Sequence, residues 1–319
     1  MRAAVVAEVG GTPTLGELPD PAPSAGDALI EVHAAALNPI DLAIASGRFY
    51  AGPPHVPYAP GREGAGVVLE GSGAVRGTRV RFERDVGYGA NGSLAQRIVV
   101  DEEALVPLPD DASDPVAAAL GIAGLAAWLS LEKAAIPAGG TVIVLGATGA
   151  VGQVAVQGAK LFGATRVVAA ARDADALERT RELGADAIVR LDGGNDVAAA
   201  LRDAAGGDAD SVIDPLWGEP AVAALATLRV GGRLVHMGTS AALDAVVPSS
   251  AVRARNISIV GHSNLTTSHA EKRRAYAELL EHAVRGRVRV ELEVFPLDRV
   301  EEAWSAQAAS PHRKIVVEI

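Results

Sequence analysis

Residues 141–152 read Thr-Val-Ile-Val-Leu-Gly-Ala-Thr-Gly-Ala-Val-Gly, and this stretch constrains the fold more than any other. A β-branched apolar run passes straight into closely spaced glycines and then into small, helix-forming residues. A strand delivered to a sheet edge, a tight glycine turn and a helix N-terminus follow from that order. The glycines let backbone approach a pyrophosphate, and the helix start offers N–H groups and a partial positive charge. The pattern is Ala147-x-Gly149-x-x-Gly152 with Gly146 just ahead, so Ala147, Thr148, Gly149, Ala150, Val151 and Gly152 are the expected phosphate contacts. Glycine-rich turns also arise for purely steric reasons.

The rest of the chain gives that turn its context. With 319 residues there is room for two domains. Apolar residues make up 49% but aromatics only 3%, so Ala, Val, Leu and Gly carry the packing, which favours close helix–sheet contacts. A net charge of −10 argues against nucleic acid or an anionic membrane as partner. The absence of cysteine excludes disulfides, thiolate metal sites and thiol nucleophiles. The first residues lack the basic-then-apolar pattern of a signal peptide, and no run of about 18 apolar residues reads as a membrane span. The expectation is a cytoplasmic protein.

Short apolar or alternating runs at 2–6, 27–34, 63–69, 79–83 and 93–100 predict strands between Gly/Pro turns. Residues 38–47 predict a short helix closed by Gly47, and 114–135 a helical stretch broken near Gly121 and Gly124. From 141 the periodicity alternates. Strands are predicted at 141–146, 166–171, 187–190, 211–214, 233–237 and 257–260, with helices at 151–162, 174–183, 197–204 and 220–228. Asp173 reads as an N-cap and Gly184 as the residue closing its helix. Such alternation predicts a parallel sheet covered on both faces. An amphipathic helix at 268–284, a run at 288–295, a short helix at 300–308 and a strand at 314–319 finish the chain. The simplest architecture is an α/β protein in which a doubly wound unit, 118–263, is inserted into a β-rich domain formed by 1–117 and 264–319. A ligand is then expected between the two, at the carboxyl ends of the parallel strands.

This order of motifs resembles the medium-chain dehydrogenase/reductase superfamily, and within it the zinc-independent quinone oxidoreductase branch. The resemblance rests on Leu37-Asn-Pro-Ile-Asp41, Ser46-Gly47, Pro60-Gly-Arg-Glu-Gly-Ala-Gly66, Gly92-Ser-Leu-Ala95 and Pro137-Ala-Gly-Gly-Thr-Val142. It continues through Gly146 to Gly152, Leu183-Gly-Ala-Asp186, Asp214-Pro215, Gly231-Gly-Arg-Leu-Val235 and Arg313-Lys-Ile-Val-Val317. It implies a GroES-like β-rich catalytic domain, a Rossmann-like doubly wound parallel-sheet domain, a nicotinamide cofactor and a homodimer. Zinc-dependent relatives carry cysteine where this chain has Asn38 and histidine-glutamate where it has Arg62-Glu63. The seven histidines show no paired helical spacing, so no metal is expected.

In a sheet of this type the end of the second strand meets the adenosine ribose. An acidic residue there binds the 2′-hydroxyl, and an arginine suits a 2′-phosphate. Arg172 ends the run 166–171, twenty residues beyond Gly152, which points to NADP(H). The competing reading leaves Arg172 solvated and gives the ribose to Asp173 or Asp175. The resemblance implies hydride transfer to quinones or α,β-unsaturated carbonyl compounds. Asn38 then offers an amide to the substrate oxygen, and Asp41 either bonds a ribose or caps its helix. Relatives place a tyrosine where this chain has Ala43, so the proton comes from Tyr50, Tyr58 or water, with Tyr50 otherwise a rim aromatic. By the same resemblance Met237, Gly238, Gly261, His262 and Ser263 line the nicotinamide half. Lys314 either reaches the cofactor or is a solvated surface lysine, and Trp217 either walls the cleft or packs. An enoyl reductase of a biosynthetic pathway and an NADPH-binding protein without turnover are the alternatives.

Overall fold

The computed structural model describes residues 1–71, 73–192, 196–310 and 312–319. It divides into two compact units. One comprises Met1–Ala123, Ser268–Val284 and Val290–Ile319; the other comprises Gly124–Thr267 and Arg285–Arg289.

The second unit is built on six parallel strands in the order Ala187–Arg190, Arg166–Ala171, Thr141–Leu145, Ala209–Asp214, Leu228–His236, Ser258–Gly261. Numbered along the chain within this sheet, that is 3-2-1-4-5-6, the doubly wound Rossmann order. Its reversal lies between Thr141–Leu145 and Ala209–Asp214. The central strands are apolar runs buried on both faces, as a helix-covered parallel sheet demands. Register brings Leu145 beside Ala170, Asp214 beside His236, and His236 beside Gly261, so the carboxyl ends form one edge. The helix Ala150–Leu161 packs through small buried residues, Gly152, Ala155, Gly158 and Ala159; at Gly158 a Cβ would fall 2.5 Å from Leu131 of the helix Ile122–Ala134. Asp173 caps Ala174–Arg179 by accepting from the Ala176 N–H at 2.7 Å, and Gly184 closes the following turn at φ +102°.

The first unit holds a seven-stranded sheet running Leu292–Pro296, Lys314–Glu318, Asp27–Ala36, Glu63–Gly71, Arg79–Glu83 and Val106–Pro107, with Arg97–Asp101 also paired to Asp27–Ala36. A separate hairpin-like pair joins Arg2–Val5 to Thr14–Glu17. Ile30, Val32, Val68, Val80, Phe82, Ile98 and Val100 form a core under the sheet.

Several expectations shift for identifiable reasons. The strand expected from 93 starts at Arg97, because Ser93 and Leu94 fold back on the loop at Pro60–Gly61. The helical stretch at 114–135 divides into Asp114–Ala119 and Ile122–Ala134. Gly121 sits in the break, where a Cβ would meet the Glu63 carboxylate at 1.9 Å; Gly124 lies within the helix Ile122–Ala134 and does not interrupt it. The run expected from 288 becomes a strand only at Leu292, since Arg289 exchanges hydrogen bonds with the Gln157 side chain of the second unit. Thr14–Glu17 and Val106–Pro107, too short for a period to register, were not anticipated.

Candidate functional site

The turn after Leu145 takes the shape a phosphate site requires. Gly146 adopts φ +59°, so the first tight-turn position is glycine and not Ala147. At Gly152 a Cβ would fall 2.3 Å from the Gly146 carbonyl oxygen and 2.5 Å from the Ala147 Cα. Glycine there is what lets helix and strand touch. At Gly149 the nearest atom to a Cβ is 3.6 Å away, and its outer side is open. These are the three separate glycine roles of a dinucleotide turn. The first N–H of the helix to find a backbone partner is that of Gln153, bonded to the Gly149 oxygen at 2.9 Å. The N–H groups of Ala150, Val151 and Gly152 precede it and form the helix N-terminus. Ala147, expected at the phosphate, is instead fully buried and donates its N–H to the Ala170 carbonyl, which leaves it nothing to offer a phosphate.

Arg172 is exposed just past Arg166–Ala171, and its side chain has no partner among the described residues. Of the two competing acids, Asp173 has an oxygen engaged in capping, and Asp175 lies exposed in the first turn of the helix Ala174–Arg179. Along the same edge, Met237 donates its N–H to Asp214, and Gly238 lies so close over Pro215 that a Cβ would be 2.8 Å from its oxygen. Gly261 is exposed with open space beside it. His262 is buried, with Nδ1 3.0 Å from the Lys133 ammonium and Nε2 2.9 Å from Asn264 Oδ1. Both ring nitrogens are taken, so as a cofactor contact His262 is limited to its backbone. The Ser263 hydroxyl accepts from the Leu265 N–H at 3.3 Å and caps a short turn.

In the first unit, Asn38 and Asp41 sit at the start of the helix Pro39–Ala45, placed there by the Pro39 ring at the first helical position. Both are buried. Asp41 accepts from the Asn38 backbone N–H at 2.8 Å and from the Arg62 N–H at 3.0 Å, which settles it as a cap. Burial raises its carboxyl to about 6, against the pull of the Asn38 N–H and of Arg62. Asn38 donates both amide hydrogens, to Glu63 at 2.7 Å and to the Ala36 carbonyl at 3.3 Å, and its oxygen accepts from Lys314 at 2.5 Å. The amide expected to polarise a substrate oxygen is therefore fully engaged. Lys314 is not at the surface: it is 3% exposed and bonded to Asn38 and, at 3.0 Å, to Glu63. A buried ammonium must find acceptors inside the protein, and these two are within reach.

Glu63 is the hub. Besides Asn38 and Lys314 it accepts from the Ile122 N–H and lies 3.6 Å from Arg81. Arg81 bonds Glu83 at 2.7 Å, and Glu83 also pairs with Lys272. Burial alone would raise the Glu83 carboxyl, but Arg81 and Lys272 outweigh it and hold it down at about 2. Arg81 and Glu83 alternate with Val80 and Phe82 in the buried strand Arg79–Glu83, and that alternation of charged and apolar residues was their signal; Lys272, on the helix His269–Val284, carried none. Tyr50 is 81% exposed with its ring against Phe49, a rim position. Tyr58 is 3% exposed, its hydroxyl lacks a hydrogen-bond partner among the described residues, and burial pushes its ionisation up.

Two family models match the chain, an alcohol dehydrogenase GroES-like domain over residues 24–110 and a zinc-binding dehydrogenase over 150–284. Mouse quinone oxidoreductase is 30% identical over 291 residues, 89% of this chain and 86% of its own. The chain belongs to the medium-chain dehydrogenase/reductase superfamily, in its quinone oxidoreductase branch. Among solved structures, the quinone oxidoreductase of Thermus thermophilus, determined also with NADPH, is 31% identical. Its TM-score is 0.83 with both chains covered in full. An NAD-dependent alcohol dehydrogenase matches equally completely at 28% identity and a TM-score of 0.87.

The second matching model is named for zinc, and the side chains here do not suit that ion. Asn38 and Glu63 are held by Lys314, so a dication would meet an ammonium. Arg62 presents a guanidinium paired with Asp85. Among the described residues, no three His, Asp or Glu side chains gather into a metal-ligand group. No helix among them is long and apolar enough to cross a membrane.

Proposed function

We propose that this quinone oxidoreductase relative is a zinc-free NADPH-dependent reductase of quinones or α,β-unsaturated carbonyl compounds. The observation that carries the cofactor choice is Arg172, exposed at the end of the second strand while Asp173 is engaged as a cap. A guanidinium there makes charge-assisted, bidentate contacts to a 2′-phosphate and has only a neutral hydroxyl oxygen to bond where that phosphate is absent. The bound nicotinamide supplies the hydride. The chain's part is to hold the pyrophosphate on the N–H groups of Ala150, Val151 and Gly152 and to place the nicotinamide half over the ends of Ala209–Asp214 and Leu228–His236. The proton follows from solvent. The quinone oxidoreductase relatives support the acceptor class. The homodimer belongs to the same reading, with Ser258–Gly261 as an edge strand open to pairing.

The test is cofactor oxidation across a panel of quinones and enones with NADPH and NADH. NADPH is expected to be preferred by roughly ten-fold or more in kcat/KM, and Arg172→Ala to narrow the gap mainly through KM, by the loss of a charge-assisted contact. Equal constants for the two cofactors in the unmodified protein would defeat the NADPH assignment. Binding without turnover by any acceptor would defeat the enzyme assignment.

A further inference from the structure

Asp214 and His236 end neighbouring strands and stand in register. Asp214 is fully buried, and its two oxygens serve different partners. Oδ1 accepts from the N–H groups of Leu216 and Trp217, each at 2.9 Å. Oδ2 lies 2.9 Å from Nδ1 of His236. Trp217 is held at φ +60°, ψ −168°, a conformation costly for a bulky residue, and its ring packs on His236 with centroids 4.4 Å apart at 41°. The carboxylate thus fixes a strained turn and an imidazole together.

With Oδ2 as the acceptor, Nδ1 carries the hydrogen, and in that tautomer Nε2 is left as an acceptor. The side chain is 24% exposed, and Nε2 has no partner among the described residues. A buried carboxylate needed only for the turn would be satisfied by backbone donors. Its second oxygen instead orients a polar ring tip toward the open edge of the sheet.

The sheet order reverses between Thr141–Leu145 and Ala209–Asp214, and a dinucleotide lies across such a reversal with its pyrophosphate at the glycine turn. Arg172 marks the adenosine side. The other half therefore extends over Asp214 and His236. We propose that His236 is a cofactor-positioning residue: its Nε2 accepts a hydrogen bond from a ribose hydroxyl or the carboxamide of the nicotinamide half, with Trp217 as the wall behind the ring. This rests on the dinucleotide reading above.

Two substitutions separate the two ends of the imidazole. His236→Asn puts an amide where Nδ1 was and keeps the link to Asp214, but does not reach the Nε2 position. His236→Gln reaches that position. Equilibrium binding is measured for NADPH, NADH, 2′,5′-ADP and 5′-ADP, with thermal melts alongside. His236→Asn is expected to weaken both dinucleotides about 5- to 10-fold, the scale of one lost hydrogen bond, while 2′,5′-ADP stays within about two-fold. His236→Gln is expected to stay within about three-fold of the unmodified protein. His236→Phe, which keeps a ring against Trp217, is expected to show the same selective loss as His236→Asn. Dinucleotide binding unchanged in His236→Asn and His236→Phe would overturn the proposal, as would equal losses for dinucleotide and fragment. If the unmodified protein binds 2′,5′-ADP no better than 5′-ADP, only the NADPH preference fails and the NADH comparison still decides the role of His236. If it binds no dinucleotide, both readings fall.

Discussion

Glu63 offers the sharpest test of how the first unit is held together. Its carboxylate is fully buried and accepts from Asn38, Lys314 and the Ile122 N–H, with Arg81 at 3.6 Å. Glu63→Gln keeps the shape and removes the charge. The new amide has one acceptor atom. It can face the Lys314–Asn38 side or the Ile122 N–H, and its NH2 confronts a donor on whichever side is left. One unsatisfied buried donor costs about 1–3 kcal/mol. The Lys314 ammonium also loses its anionic partner, and breaking a buried pair from one side costs about 3–5 kcal/mol in all. For a unit of this size each kcal/mol moves the melting point by about 2–4 °C, so calorimetry should show the transition of this unit falling by roughly 6–20 °C. Removing the cation as well, in Glu63→Gln with Lys314→Met, should recover part of that loss, with a coupling of about 2 kcal/mol in the double-mutant cycle. A single-variant loss under about 1 kcal/mol, or a cycle additive within about 0.5 kcal/mol, would refute the view that this buried pair organises the unit.

Two further outcomes follow from the geometry. Gly152→Ala would force a methyl to 2.3 Å from the Gly146 oxygen, where only backbone can yield, and should cost about 1–3 kcal/mol and at least ten-fold in cofactor affinity. Gly149→Ala meets nothing nearer than 3.6 Å and should leave the melting point alone, yet weaken the dinucleotide by narrowing the open side of the turn; equal behaviour of the two variants in both assays would contradict these roles. Asp41 titrates at about 6 in the folded chain against 3.8 for an ordinary aspartate. Above pH 6 it is charged in both states, and burial counts fully against folding. As pH falls from 6 toward 3.8 the folded form takes up the proton first and gains up to about 3 kcal/mol. Glu83, held at about 2 against 4.5, acts in the opposite sense only below pH 4.5. Between pH 7 and 5 the melting point should therefore rise through Asp41, and Asp41→Asn should flatten that rise; parallel curves for the two proteins would show the carboxyl is not its source.

The sequence determined what depends on near neighbours. Whether a run like 141–145 pairs as a buried strand, whether Gly146 can take a positive φ, whether Asp173 can reach the N–H of Ala176 and whether Gly184 can close its helix are decided within a few residues. So the strand-turn-helix, the alternation behind the parallel sheet and the placement of Arg172 at a strand end were legible in the residues alone. The fates of Asn38, Lys314, His262 and Asp214 were decided by tertiary structure. Each is a polar group whose role depends on what it meets when buried, and a buried polar group must meet something. Lys314 lies 251 positions from Glu63, and His236 lies 22 from Asp214 on a neighbouring strand. No local pattern encodes such partners. Packing brings them together, and the cost of burying an unpaired charge or amide then selects which contacts persist.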